Sequence, residues 1–263
     1  MNFQRIRTIV DKEWAEVFKN RLVLFTIAFL PIIFTALPLV VLYGMRSTTS
    51  GGSSTDLPPQ FLKLCGNLAA TDCMQYFVLN EFLILFMMMP LIIPISIAAY
   101  SIVGEKTTHS LEPLLATPIS TAELLLAKCL AAAIPAVLAT WAGFIIFMVG
   151  APLVGTGPAV IRQVAGPVWL VAVFIIGPLL SVLAVNCAVM VSSRVTDPRV
   201  AEQISAVVIV PLLGLLFGQL AGLIVLNLSF MLVAVVVLVL VDIGITLLGA
   251  RLFQRERILT QWK

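Results

Sequence analysis

Long apolar runs separated by short polar segments are the main feature of the chain. Windows of about 20 residues locate six such runs, at Leu22–Tyr43, Phe82–Val103, Leu124–Val149, Val168–Ser192, Ile204–Leu226 and Leu228–Leu248. Each can cross the roughly 30 Å hydrocarbon core of a bilayer as a helix. The last two runs are interrupted only around Asn227, which predicts a tight hairpin. The pattern predicts an all-α integral membrane protein with six transmembrane helices in one domain, residues 1–263.

The distribution of Lys and Arg predicts how these helices are oriented. Thirteen of the sixteen lie in segments 1–21, 104–128, 193–203 and 251–263. The other three, on the opposite side, are Arg46, Lys63 and Arg162. The positive-inside rule therefore predicts that both termini are cytoplasmic, that 193–203 is a cytoplasmic loop and 251–263 a basic cytoplasmic tail, and that loop 46–76 faces outward.

The N-terminal segment 1–21 places apolar residues at helical spacing, namely Phe3, Ile6, Val10, Trp14, Val17 and Phe18. Its charged residues fall largely on the remaining faces. We therefore expect an amphipathic helix that lies in the cytoplasmic interface of the membrane. A flank that only sets topology would explain the charges but not the periodic Trp and Phe.

A polar insert at residues 104–123 separates the second and third spans. It belongs to the run GEKTTHSLEPLLATPISTAELLLAK, Gly104 to Lys128. Residues 107–115 can form a short helix that ends near Thr117-Pro118, because a residue before proline disfavours the helical region. Ser120 and Glu123 fit a capping box that starts the next helix. The insert is predicted to form a cytoplasmic helix–turn–helix, either a lever that another protein contacts or simply a soluble loop.

The four cysteines divide into two groups. Cys65 and Cys73 lie in the outward loop, where an oxidising environment allows a disulfide, and two free thiols are the alternative. Cys129 and Cys187 fall within spans, are far apart in sequence and have no neighbours typical of a metal site. Apolar packing is the better account of this second pair.

The chain carries few residues suited to catalysis. His109 is its only histidine, and zinc-protease, nucleophile-elbow and zinc-finger patterns are all missing. No G-x-x-x-x-G-K-[ST] loop occurs, so we predict that the chain is not an enzyme and that any ATP hydrolysis belongs to a partner. Neither a metal, a cofactor nor a nucleic acid is expected to bind this chain.

Four polar residues fall within or beside the spans and are candidates for a substrate pathway: Asp242, Asn186, Gln219 and Glu81. A carboxylate inside a membrane is costly, at about 2.5–3.5 kcal/mol on insertion scales, so Asp242 must face protein or water. A structural role near cytoplasmic-side cations is the alternative. The fifth span carries a small-x-x-x-small pattern that predicts close helix packing, at Gly214, Gly218 and Gly222.

The insert resembles the signature of type-2 ATP-binding-cassette (ABC) exporter permeases. That signature has a glutamate near its start, a Leu-Glu-x-Leu-Leu core, a Thr-Pro pair and a downstream lysine. The matching residues here are Glu105, Leu111, Glu112, Leu114, Leu115, Thr117, Pro118 and Lys128. Lys12-Glu13 and the terminal ARLFQRERIL also resemble the corresponding segments, especially those of sodium-efflux-type permeases. The spans match the family only in number and hydropathy.

The resemblance implies a six-helix, N-in/C-in permease of the type V ABC exporter kind. The N-terminal segment would be a connecting helix, and the seven residues from Glu105 to Pro118 that match the motif would form or brace a coupling helix that docks on a separate ATPase subunit. That partner would bind ATP and Mg. A second permease copy or a paralogue would complete the transporter in a cell membrane, typically the plasma membrane of a prokaryote.

Two other functions remain open at this stage. A secondary transporter or channel driven by an ion gradient would be expected to show inverted repeats or several buried charges. A membrane scaffold or sensor would use the insert to bind a regulatory protein. Association with a nucleotide-binding subunit distinguishes the ABC permease from both. The cargo could be a drug, a lipid, a peptide or a cation, and the sequence does not choose among them.

Overall fold

The computed structural model describes residues 3–19, 21–48, 65, 69–107 and 121–252, and these are helical with short connections. In chain order the helices are α1 Phe3–Val17, α2 Arg21–Thr48, α3 Ala70–Thr107, α4 Thr121–Leu153, α5 Pro158–Val164, α6 Pro167–Val171, α7 Gly177–Ser192, α8 Pro198–Ser205, α9 Val210–Leu220 and α10 Leu228–Leu252. A π-helical turn, Ala172–Ile176, joins α6 to α7, and a 3-10 turn, Ala206–Ile209, joins α8 to α9.

Six helical segments of the described chain are long and apolar enough to cross a membrane, which confirms the prediction of an all-α integral membrane protein. They are Val23–Met45, Thr71–Ser101, Glu123–Leu153, Pro158–Ser192, Pro198–Leu220 and Leu228–Gly249. Helices α2, α3, α4 and α10 each form one span. The fourth span consists of α5 to α7 and the fifth of α8 and α9.

The second and fourth spans begin earlier than predicted, at Thr71 and Pro158 rather than at Phe82 and Val168, and the fifth span is shifted at both ends from its predicted bounds of 204–226. It begins at Pro198 because Asp197 caps the helix, with its Oδ1 accepting a hydrogen bond of 2.7 Å from the Arg199 backbone amide. The predicted loop 193–203 is therefore helical from Pro198 onward. At its other end the helix stops at Leu220, and Gly222 adopts a φ of 70°. A connection over 221–227 replaces the tight hairpin expected at Asn227.

Helix α3 is the central element of the fold. In its most apolar stretch 83% of the residues are buried, against 17% or fewer in the first, fifth and sixth spans. It packs against α2, α4 and α7. The outer spans leave many large apolar side chains exposed, as expected of helices that face lipid or another subunit.

Close contact between helices at glycine occurs on α4. A Cβ added to Gly143 would lie 3.0 Å from Thr35 Cγ2, and one added to Gly150 would lie 2.8 Å from Leu39 Cδ1. The two glycines therefore allow α2 to approach α4 more closely than any larger residue would.

The predicted packing stripe of Gly214, Gly218 and Gly222 is not formed as one helix face. Gly222 lies beyond the end of α9, and a Cβ on Gly214 would meet nothing within 4 Å. Gly218 makes room for Ile224 of the following connection, whose Cδ1 would be 2.8 Å from an added Cβ. The spacing is that of a packing motif, but positive φ at Gly222 ends the helix before the motif is complete.

Cys65 and Cys73 form a disulfide, with their Cα atoms 5.4 Å apart. Cys73 lies in the first turn of α3, so the bond fixes one point of the preceding loop to the central helix. Cys129 in α4 and Cys187 in α7 are free thiols.

Candidate functional site

We call the side of the membrane that carries α1, the end of α3 at Thr107, the start of α4 at Thr121 and the 193–197 loop the basic side. It is the side predicted to be cytoplasmic. Helices α1, α4 and α8 all contact the end of α3 there. These contacts form the candidate functional site.

Helix α1 packs on the beginning of α4 through a small apolar cluster. Ile6, Ile9 and Val10 of α1 are buried against Ala127 and Ala131 of α4. The indole Nε1 of Trp14 also donates a hydrogen bond of 3.0 Å to the carbonyl oxygen of Ala131. The apolar face predicted for the interfacial helix is therefore used, at least in part, for packing against the protein.

A buried ionic cluster lies beside this apolar contact and joins three helices. Lys128 Nζ of α4 donates to Glu13 Oε1 of α1 at 2.8 Å and to Ser101 Oγ of α3 at 2.8 Å. Ser101 Oγ in turn donates to Glu13 Oε2 at 2.5 Å. Glu13 is 2% exposed and Lys128 6% exposed. The carboxylate, ammonium and hydroxyl thus satisfy one another away from water.

Burial changes what this ion pair does energetically. Taking both charges out of water costs several kcal/mol, so the pair is weak evidence for net stability, but removing one partner would leave an uncompensated buried charge at a cost of about 3–5 kcal/mol. The cluster therefore holds α1, α3 and α4 in one arrangement. Helices α3 and α4 are the two that flank the 108–120 segment.

A second polar contact ties α8 to the same central helix. The Ser96 hydroxyl of α3 donates a hydrogen bond to the Glu202 carboxylate of α8. Ser96 and Ser101 are five positions apart on α3, and each binds a carboxylate from a different basic-side helix. Helix α3 is accordingly connected to α1, α4 and α8 at its basic-side end.

Most of the residues predicted to contact an ATPase lie outside the described residues. These are Leu111, Glu112, Leu114, Leu115, Thr117 and Pro118. The backbone of Glu105 belongs to the last turns of α3. The structure thus describes the two helices from which the predicted coupling segment emerges, and the coupling role of its residues stays a prediction.

Two of the predicted pathway residues, Asp242 and Asn186, lie on packed helices toward the basic side. Asn186 Nδ2 of α7 donates to Thr246 Oγ1 of α10 at 3.0 Å. Asp242 of α10 is 6% exposed, and neither carboxylate oxygen has a hydrogen-bond partner within the described chain. The predicted pairing of Asp242 with a basic-side cation is therefore not made by the described residues.

The other two, Glu81 and Gln219, meet near the opposite side of the membrane. Glu81 of α3 lies beside Gln219 of α9. Gln219 is 3% exposed, and neither side chain forms a well-aligned hydrogen bond within the part of the chain that the structure describes. Asn80, next to Glu81, is 1% exposed and is likewise without a partner there. No group of three or more His, Cys, Asp or Glu suited to a metal ion occurs among the described residues.

Sequence reasoning named Lys12-Glu13 and Lys128 only as points of resemblance and missed that Glu13 pairs with Lys128 across the fold. It assigned the charged residues of α1 largely to faces away from the apolar one, yet Glu13 is buried. It also missed Ser96, Ser101, Glu202 and Asn80. The one available signal was that Glu13 lies one turn after Ile9 and one turn before Val17, on the face that packs inward.

These features define a multi-pass α-helical membrane protein in which polar contacts join α1, α4 and α8 to α3 on the basic side. The sequence model of the ABC-2 family transporter proteins matches residues 7–232, and the chain therefore belongs to the ABC-2 transporter family. Such domains are transmembrane components of ABC transporters, are generally not catalytic and imply an ABC ATPase partner. No curated protein sequence matches the chain significantly.

Proposed function

We propose that the chain is the permease subunit of an ABC exporter, which couples ATP hydrolysis by a separate subunit to the movement of a substrate across the membrane. ATP and Mg would be bound by the ATPase. The observation that carries the proposal is the buried cluster of Glu13, Ser101 and Lys128. It fixes α1 to both helices that flank the 108–120 segment, whose sequence resembles the coupling segment of ABC exporter permeases.

The cluster gives a physical route for coupling. When an ATPase displaces the 108–120 segment, the ends of α3 and α4 must move with it, because the chain is continuous at both ends of the segment. The ionic contacts would carry α1 along, and the contact between Ser96 and Glu202 would carry α8. Since α3 is the most buried span, its displacement would rearrange the packing of the whole subunit.

We further propose that two permease chains, identical or paralogous, form the transporter in a cell membrane, typically that of a prokaryote. The exposed apolar faces of the first and fifth spans support contact with a second copy or with lipid. Drugs, lipids, peptides and cations remain the candidate cargoes, and the sodium-efflux type remains a prediction from the chain ends.

Gradient-driven transport is the second candidate, and Asp242 is the observation that favours it. An unpartnered buried carboxylate within a span is a common element of ion pathways. In that case transport would depend on an ion gradient, would not require an ATPase and would be lost in an Asp242→Asn variant.

Co-expression with candidate ATPase subunits, beginning with one encoded beside this chain, tests the proposal. The complex is purified, reconstituted in lipid and assayed for ATP hydrolysis. We expect stable association, and we expect Glu112→Ala or Leu115→Ala to weaken association or to lower the hydrolysis rate. Failure of the wild-type chain to bind any of these ATPases, with gradient-driven flux retained, would favour the second candidate instead.

Matched control variants separate coupling from general damage. Glu16→Ala removes a carboxylate from a solvent-exposed position of α1, where its side chain is 53% exposed. Leu153→Ala removes the same atoms as Leu115→Ala from a position that is 81% exposed on the opposite side of the membrane. Both controls should hydrolyse ATP at the wild-type rate. If they lose as much activity as the insert variants, the 108–120 segment has no special role.

A further inference from the structure

An apolar cavity of about 430 Å³ lies between α3, α7, α9 and α10. Its floor is formed by Ile84 and Met87 of α3 and by Leu180 and Leu183 of α7. Its volume is in the range of about 300–1,000 Å³ that is typical of small-molecule sites. The cavity belongs to a single subunit, and no residue of the basic-side cluster lines it.

The cavity exists because two consecutive spans pack on different neighbours. Helix α9 packs on α3, and α10 packs on α7, whereas α9 and α10 make few contacts with each other. The connection over 221–227 joins them at one end only. Val237 and Val241 of α10 line the cavity and are 51% and 39% exposed. The cavity therefore opens sideways between α9 and α10, toward the lipid.

Three polar side chains lie just beyond the lining residues, in the direction away from the basic side. Asn80 lies one helical turn before the lining residue Ile84, and Gln219 lies one turn after the lining residue Leu215, so both are on the lining faces of their helices. Glu81 lies beside Gln219. The side-chain nitrogen and oxygen atoms of Asn80 and Gln219, and both carboxylate oxygens of Glu81, are buried without a well-aligned hydrogen bond in the described chain, so Glu81 and Gln219 interact with each other only weakly.

Such groups are costly to bury unless something bonds to them. We propose that the cavity binds a single-chain amphiphile with a primary ammonium head, whose alkyl chain fills the space between α9 and α10 and whose head contacts Glu81, Gln219 and Asn80. The site lies within the permease chain alone, and the amphiphile that it binds could be either a cargo or a regulator.

The head chemistry follows from the three side chains. A primary ammonium has three N–H donors, which match one carboxylate and two amide oxygens, and the hydrogen bonds to Glu81 would be charge-assisted. A fatty acid would bring a second carboxylate against Glu81, and like charges repel. A fatty alcohol has only one donor. The order of affinity should therefore be amine, then alcohol, then acid.

A photoaffinity competition experiment tests the site. The purified permease chain, without an ATPase, is placed in phosphatidylcholine nanodiscs and labelled with a twelve-carbon primary amine that carries a diazirine on its chain. Labelled peptides are mapped by mass spectrometry, and dodecylamine, dodecanol and dodecanoate are compared as competitors. We expect saturable labelling of α9 and α10, displaced by dodecylamine at concentrations about tenfold lower than by dodecanol, because hydrogen bonds to charged groups are the stronger ones.

Two kinds of variant separate recognition of the head from recognition of the chain. Glu81→Gln keeps the shape of the side chain but removes its charge. In this variant the concentrations of dodecylamine and dodecanol that displace the label should differ by no more than about threefold. Ala234→Phe fills the cavity, which Ala234 lines, and should abolish labelling. Val233→Phe places the same ring one residue away, at a position that is 63% exposed and does not line the cavity. This control variant should be photolabelled to the same extent as the wild-type chain.

Several results would overturn the proposal. Equal displacement by amine, alcohol and acid in the wild-type chain would mean that the cavity only accommodates a lipid tail. Unchanged labelling of Ala234→Phe, or labelling confined to other helices, would mean that the amine binds elsewhere. Because no ATPase is present, these outcomes leave the coupling proposal untouched, and loss of ATPase association would leave the binding result untouched.

Discussion

At the scale of single residues, Glu13 shows why a helical pattern does not determine the environment of a side chain. The periodic apolar positions of α1 correctly indicate a helix, but they leave undecided whether the apolar face meets lipid or protein. The environment of Glu13 depends on its contacts with Lys128 and Ser101, which are 115 and 88 positions away in sequence. A contact over such a distance cannot be derived from local periodicity, and this is why the cluster was not predicted.

Removing one charge of the buried pair should destabilise the protein more than removing both. We expect Glu13→Leu or Lys128→Met alone to lower the free energy of unfolding by about 3–5 kcal/mol, because the remaining charge is buried without compensation. The double variant should lose less than either single variant, and therefore much less than the sum of the two single losses. Equilibrium unfolding in mixed micelles measures the free energy of unfolding of the wild type, the two single variants and the double variant.

An exposed ion pair on the same helix provides the control. Lys12 and Glu16 lie 3.5 Å apart with side chains that are 38% and 53% exposed. Replacing either should change the free energy of unfolding by less than about 1 kcal/mol. Equal effects at the exposed and buried pairs would show that burial of the cluster has been misjudged.

The cysteines give a second residue-scale prediction. With Cys65 and Cys73 joined and Cys129 and Cys187 free, the denatured protein should react with two maleimide mass tags before reduction and four afterward. A gel-shift assay counts the tags. Four tags without a reductant would show that Cys65 and Cys73 are thiols in the expressed protein.

At the scale of elements, hydropathy located every span but not every helix end. Helix ends depend on capping and backbone conformation, as Asp197 shows at the start of α8 and Gly222 shows after α9. The Asp-Pro dipeptide at 197–198 was a readable start signal that lay inside a segment assigned to a loop. The glycine spacing in the fifth span was readable too, but the pattern alone cannot say whether another helix faces it.

Glycine-to-alanine substitutions at Gly143 and Gly214 should therefore have opposite effects on the stability of the protein. Gly143→Ala should lower stability by about 1 kcal/mol, since overpacking costs about 1–3 kcal/mol and the gain in helix propensity is at most about 1 kcal/mol. The Thr35 methyl cannot easily withdraw, because the Thr35 hydroxyl donates to the Pro31 carbonyl at 2.7 Å. Gly214→Ala meets no neighbour within 4 Å and should be neutral or stabilising.

Thermal unfolding of each variant in the same detergent measures this difference. Gly150→Ala is the intermediate case, because the nearest atom to its added Cβ is the flexible end of Leu39, which can change rotamer. A loss at Gly214 as large as that at Gly143 would mean that Gly214 lies in a helix contact with another subunit.

At the scale of the whole molecule, the number of spans and the basic side follow from composition and charge, whereas the arrangement of the spans does not. Six apolar runs are a local property of the sequence. The central position of α3, the separation of α9 from α10 and the cavity between them arise from helix contacts across the chain. The coupling proposal depends on one global property above all, namely that the basic side faces the compartment that contains ATP.

Cysteine accessibility in intact cells tests that property directly. In a background with the four native cysteines replaced, a single cysteine at Arg162 or Leu223 should react with a membrane-impermeant maleimide from outside. A cysteine at Glu16 or Arg199 should react only after the membrane is opened. Leu223 is 76% exposed and belongs to the 221–227 connection, beyond α9 on the side opposite the basic side. External labelling at Glu16 or Arg199 would place the 108–120 segment outside the cytoplasm, where no ATPase could move it, and would exclude the coupling role while leaving the binding site between α9 and α10 to be judged by its own experiment.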